Sequence, residues 1–248
     1  MPALPTYYSE LPPFADHFSQ GLPSLCYHKI EKAPQGARIK GLYLPADLFA
    51  QQISELKNAG YQFIPPALPE KNSTKREISV TFDDGFVSNW KSAMPLMNLH
   101  GCRAINFLVA DRLGKCSDWE TEEGGEARPL MDQVQIREWM SAGNWIGAHT
   151  CTHPRLSRIS LPLAKEEIVG SKKKLEDRFG ISIDHFAYPY GDYNSAVLNI
   201  VREAGFQTAS TMHPGINTSG TPRWELRRWT ARYPTRTIRT ALRRIFRG

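Results

Sequence analysis

Short apolar runs alternate with longer amphipathic stretches along most of this chain. "PSLCYHKI" (23–30) has the pattern of a buried strand ending at His28. "PADLFAQQISELKNAG" (45–60) predicts a helix. Leu48, Phe49, Ile53 and Leu56 fall on one face, Pro45 sits near the first turn and Gly60 ends it. "YQFI" then reads as a strand, followed by a polar, proline-rich loop. Further strands are predicted over 77–82, 103–109, 145–149, 185–189 and 206–211, and helices over 132–142, 161–179 and 194–204. Another helix follows the strand at 77–82, running to Leu99. Residues 1–22, rich in proline, predict an extended arm without helix.

Strands that alternate with helices pair in parallel through crossover helices. About seven such strands suit a (β/α) barrel, complete or not, better than an open sheet. The expected division is an arm at 1–22, an α/β barrel domain at 23–234 and a terminal helix at 235–248. Residues 110–130 form a long acidic loop carrying Trp119, and loops of that length are often functional.

Charge changes the picture at one end only. The net charge is +6, yet the last 26 residues hold nine arginines against a single acidic residue, Glu225. Within them Ile238, Ala241, Leu242, Ile245 and Phe246 form one helical stripe, with arginine on the other faces. That pattern suits an anionic membrane surface, or a helix docking its stripe on the barrel. A nucleic-acid partner is disfavoured, because no binding motif accompanies the charge. "MPALPTYYSELPPF" has neither a basic n-region nor an apolar h-region. The expectation is therefore a cytoplasmic protein, peripheral on the inner membrane face if the tail engages lipid. The four cysteines form no CxxC pair, which argues against a zinc ribbon and for reduced thiols.

Polar clusters follow four of the predicted strands: His28, Asp83–Asp84, His149–His153 and "YPYG" (188–191). In barrels, residues just past the C-terminal strand ends carry the chemistry. "HTCTH" spaces His149 and His153 four apart, which on a helical turn puts both rings on one side. Two imidazoles and a carboxylate give three ligands and leave a position open, the layout of a catalytic metal site. Zinc is the expected ion, with cobalt or nickel as alternatives. Of the adjacent Asp83 and Asp84, one can bind the ion while the other works on its water, provided that Gly85 bends the chain to bring both to the mouth.

"TFDDG", "HTCTH" and "YPYG", in that order, resemble the polysaccharide deacetylases (carbohydrate esterase family 4, the NodB homology domain). The resemblance extends from about Leu25 to Arg228. It implies a deformed (β/α) barrel and metal-dependent removal of N-acetyl groups from an amino sugar of a polysaccharide, oligosaccharide or lipid-linked glycan. It makes Asp83 the base and Asp84, His149 and His153 the metal ligands. The early "YH" is similar to the permuted poly-N-acetylglucosamine deacetylase branch and makes His28 the acid, with His213 of "TMHPG" as competitor. In the same branch a late arginine orients the base, here Arg228, with Arg227 as second choice. Tyr190 would offer its backbone N–H to the oxyanion, while Tyr188 and Pro189 would contact the sugar; Trp119 either covers the sugar or anchors its loop. Cys151 is expected to pack away from the ion. Many members carry arginine where this chain has Ala187. That departure keeps open a non-catalytic carbohydrate-binding barrel, alongside a deformylase or O-acetyl esterase using the same site.

Overall fold

The computed structural model describes residues 4–70, 75–122 and 124–233; the predicted terminal helix at 235–248 lies outside them. The strands are β1 (Ser24–Tyr27), β2 (Gln62–Phe63), β3 (Glu77–Phe82), β4 (Ile105–Leu108), β5 (Trp145–Ala148), β6 (His185–Ala187), β7 (Thr208–Ser210) and β8 (Trp229–Thr230). The α-helices are α1 (Ala15–Phe18), α2 (Ala46–Asn58), α3 (Met94–His100), α4 (Trp119–Glu122), α5 (Gln133–Ser141), α6 (Leu161–Phe179) and α7 (Ser195–Glu203).

All named strand pairings are parallel, in the order β7-β6-β5-β4-β3-β1-β8, with β2 paired to the start of β3. Seven of these strands curl into a half-barrel, the deformed (β/α) barrel that the sequence predicts. Residues 223–228 draw the two edges together: Ser210 bridges Leu226, and Leu226 N–H donates to Ala209 O. β1 is buried at all four positions and β3 at five of six, as expected for parallel strands covered on both faces.

The helices follow their patterns. α2 buries Phe49, Ile53 and Leu56 together with Gln52. Gln52 is not an anomaly: Tyr27 Oη donates to its carbonyl, and its amide donates to Ser9 O and Arg232 O. One polar side chain thereby ties the segments at Ser9 and Arg232 to α2. A capping box of Asp132 and Gln135 starts α5, and Gly180, at φ 70°, ends α6 in the left-handed region.

Two predictions need correction, and one strand is unforeseen. The arm contains a 3-10 turn (Pro12–Phe14) running into α1, because Tyr8, Phe14 and Phe18 pack as an aromatic cluster against Trp229. Tertiary packing there overrides a proline-rich local signal. The stretch from 110 to 130 is not plain loop, since it contains α4. β8 has too little alternation to be seen in sequence and is recruited by pairing with β1 at Leu25 and Cys26.

Candidate active site

The C-terminal ends of β1, β3, β5 and β6 open on one cavity of about 550 Å³. His28, Asp83, Asp84, Trp119, His149, His153 and Tyr190 all line it. Beyond β3, Asp84 and Gly85 take φ of 76° and 85°. The left-handed bend therefore begins at Asp84, one residue earlier than the sequence suggests. Strand alternation is broken there, and both carboxylates are buried.

Asp83 is held by Arg228. The guanidinium donates to both carboxylate oxygens, at 2.7 and 2.8 Å, and also to Thr81 Oγ1 and Thr211 O. Arg228 precedes β8, whose Trp229 pairs with Leu25. Its side chain thus rises through the barrel interior to meet Asp83 from beneath. Burial pushes the Asp83 carboxyl up, but Arg228 outweighs it and holds the group down at about 2. Arg227, the second choice, is exposed.

The second carboxylate faces the histidines. Asp84 Oδ1 lies 3.4 Å from His149 Nε2 and 3.1 Å from His153 Nε2. His149 Nδ1 is 2.7 Å from Ala187 O; a carbonyl only accepts, so Nδ1 carries the hydrogen. In neutral His149 the bare Nε2 lone pair would then point at a carboxylate, an arrangement that needs a cation. Asp84 Oδ1 is buried without a hydrogen-bond partner. A tetrahedral ion with bonds of about 2.0–2.1 Å sets neighbouring ligands about 3.3 Å apart, which the two separations match. Asp84, His149 and His153 therefore fit a divalent metal. Cys26, His28 and Asp83 also gather their ligating atoms within 4.8 Å. There the Arg228 charge already occupies Asp83, so that cluster does not suit a cation.

The HTCTH segment is not the helical turn expected from its spacing. Thr150 and His153 take φ of 67° and 71°, and His153 N–H donates to Thr150 Oγ1. The rings converge through a left-handed loop. Cys151 points away, with its thiol near Glu166 O and Lys174 Nζ.

Whereas His149 is oriented by a carbonyl, His153 is oriented by rings. Its Nδ1 has no hydrogen-bond partner. Trp119 stacks on it at 4.4 Å and 25°, and Tyr190 packs against it at 4.6 Å. Arg155 lies over the Tyr190 ring at 3.8 Å. Trp119 is only 8% exposed; it is anchored in its loop as a cover for His153, with one edge on the cavity wall. Two other expected sugar contacts face elsewhere. Tyr188 is fully buried, stacks on Tyr193 and donates its hydroxyl to Trp224 O, and Pro189 is buried off the cavity wall. His213 is exposed beside Tyr193 and does not line the cavity, which removes it as the competing acid. His28 is half-buried at the cavity; burial lowers its pKa, with Asp84 and Asp83 acting the other way.

Sequence reasoning missed what fixes Trp119. Lys29, next to His28 and 1% exposed, forms an ion pair with Glu120 and lies over the rings of Tyr43 and Phe86. Glu120 also accepts from Ser117 Oγ. A Lys beside a strand-end His carries no signal of its own, because its partner is 91 residues away.

A family profile described as polysaccharide deacetylase matches residues 70–209. The Bacillus subtilis protein YxkH is 26% identical over 200 residues, 78% of this chain and 65% of that protein. The chain thus spans just under two thirds of that relative's length. The poly-beta-1,6-N-acetyl-D-glucosamine N-deacetylase of Staphylococcus aureus is 23% identical over 209 residues, 74% of this chain and 69% of that enzyme. Among solved structures, the Streptococcus pyogenes deacetylase PplD in complex with acetate superposes with a TM-score of 0.72 at 25% identity, covering 90% of this chain and 97% of that one.

Proposed function

The chain belongs to the polysaccharide deacetylase family, and from that premise we propose that it hydrolyses N-acetyl groups from amino sugars of a poly- or oligosaccharide at a metal centre held by Asp84, His149 and His153. The observation that carries this reading is the pairing, in one cavity, of an arginine-clamped carboxylate with a His₂Asp set. The relative that acts on poly-beta-1,6-N-acetyl-D-glucosamine points to N-acetylglucosamine as the sugar.

A divalent ion held there would supply Lewis acidity, lowering the pKa of a water towards about 7 and polarising the acetyl carbonyl. Asp83 takes a proton from the attacking water. Its oxygens keep free lone pairs beside the two Arg228 bonds, and a carboxyl held at about 2 keeps a proton only briefly. Tyr190, which lines the cavity, would offer its backbone N–H to the oxygen that becomes negative. His28 gives a proton to the nitrogen as the C–N bond breaks, since an amine does not leave as an anion. Its lowered pKa makes the imidazolium a stronger acid, at the expense of its population at neutral pH. Acetate and a free amino sugar result.

His28→Gln tests the acid role. The expected outcome is about a 10²-fold fall in kcat on an N-acetyl substrate, with little change on p-nitrophenyl acetate, whose leaving group needs no proton. Equal losses on both substrates would remove His28 from this role. The reaction class is tested by acetate release from β-1,6-linked N-acetylglucosamine oligomers beside O-acetylated and N-formylated analogues. Turnover confined to either analogue would replace this reading with the esterase or deformylase one.

The basic tail extends the proposal towards a lipid-linked glycan handled at an anionic membrane surface on the cytoplasmic side. Among the described residues no helix is long and apolar enough to cross a membrane. The tail would bind peripherally, with roughly 1 kcal/mol of attraction per arginine near the surface. Co-sedimentation with phosphatidylserine vesicles should fall sharply on deleting residues 235–248 and with rising salt; unchanged binding would refute the tail's part.

A further inference from the structure

The three residues between the candidate metal ligands His149 and His153 have no regular structure to hold them. Thr150 and His153 both occupy the left-handed region, which β-branched Thr in particular avoids. Such a loop relaxes unless its surroundings over-determine it, and relaxation would carry the two imidazoles apart.

The main restraint comes from α6. Glu167 is 6% exposed, on the helix face that also buries Ala164, Ile168 and Ser171. Its Oε2 accepts from the Cys151 and Thr152 N–H groups at 2.8 and 2.9 Å. Its Oε1 accepts from Thr152 Oγ1 at 2.6 Å. Three donors of the inter-histidine loop thus end on one carboxylate. On the other side Ala110 N–H and Asp111 N–H donate to Thr150 O and Cys151 O. The loop is fixed between a long helix and the segment following β4.

An apolar side chain would be the cheaper choice for a buried helix position, since a charge loses hydration there. A carboxylate offers two acceptor oxygens in one plane, which suits a turn whose N–H groups point the same way. Glu167 does not line the cavity, and its hydrogen bonds go to Cys151 and Thr152, not to Asp84 or the imidazoles. We infer that Glu167 is a positioning residue: it holds the His149–His153 loop in its left-handed form and so sets the affinity of the site for a divalent cation. The inference rests on the metal-site reading given above.

Metal affinity, not turnover, is the readout. Cobalt(II) is titrated into metal-free wild type, Glu167→Met, Glu167→Gln and Thr152→Val, following the visible absorption of the bound ion and the circular dichroism of the fold. Glu167→Met fills the same volume without acceptors, and binding is expected to weaken about 10–100-fold with the dichroism unchanged. Gln keeps one oxygen for the two N–H groups, and its amide can donate to a rotated Thr152 hydroxyl. It should stay within a few-fold of wild type. Thr152→Val removes one of the three bonds and should fall between. Equal cobalt affinity in wild type and Glu167→Met would overturn the inference. If Glu167→Met does not fold, unchanged affinity in Thr152→Val overturns it instead. Absence of cobalt binding by the wild type would be a different failure, that of the metal-site reading itself.

Discussion

Asp83→Asn lowers kcat on an N-acetylated glycan by about 10²–10⁴-fold, the range lost with a general base, while the protein still binds its metal. The asparagine has nearly the shape of the aspartate, and the three ion-facing side chains are untouched. Stability falls as well. Arg228 is fully buried, with both outer nitrogens on Asp83. The variant amide offers it one acceptor and turns an NH₂ towards a second donor. Removing one partner of a buried pair costs about 3–5 kcal/mol. The acid limb should change too. Asp83 has its folded value lowered from 3.8 to about 2, so its contribution is fully present above about pH 4 and is lost as the pH falls towards 2. The wild type sheds that stability across this window, whereas Asp83→Asn does not. Chemical denaturation at pH 7 and pH 3 measures the difference. An active Asp83→Asn would end the division of labour between the two carboxylates.

Asp84→Ala and His149→Ala are expected to abolish metal binding and reduce acetate release to background. The loss of affinity should exceed the roughly 10–100-fold effect typical of a residue one layer out. Asp84 carries the negative charge that both imidazoles face. His149 Nε2 is aimed by the Nδ1 bond to Ala187 O. A full complement of bound zinc in either variant, measured by elemental analysis, would place the site elsewhere.

Much of this site was legible because each motif sits at the end of its own apolar strand. β3 delivers Asp83 and Asp84, β5 delivers His149 and β1 delivers His28, and a parallel barrel brings such ends together. Arg228 could be read as a candidate, but not its approach from beneath, which depends on the β1–β8 register. What sequence did not reveal is direction. "YPYG" marked a strand end, yet Tyr188 turns into the core and only Tyr190 reaches the cavity. "HTCTH" has helical spacing but closes through two left-handed residues imposed by contacts with distant chain, Glu167 among them. The same holds for the Trp119 cover, fixed through Lys29 and Glu120. Periodicity reports which face of an element is apolar, and a loop held by remote partners has no such face to report.

The arginine usual in the family's third motif is Ala187 here. Ala187 packs with Ile105 and Phe107, and Arg228 lies over the Phe107 ring at 5.6 Å. The guanidinium reaches Asp83 from the residue that precedes β8, not from the third motif. Asp83 is thus clamped despite the departure, which weakens the case for a barrel that has lost turnover.

One divalent ion on Asp84, His149 and His153 would enable Asp83 to drive hydrolysis of an N-acetyl group. The most direct measurement is acetate release from β-1,6-linked N-acetylglucosamine oligomers by one preparation as purified, after chelation, and after titration with zinc. Activity is expected to disappear with the metal and return in full at one equivalent, and His149→Ala is not expected to recover. Undiminished acetate release from protein shown by elemental analysis to be metal-free would contradict this role of the ion.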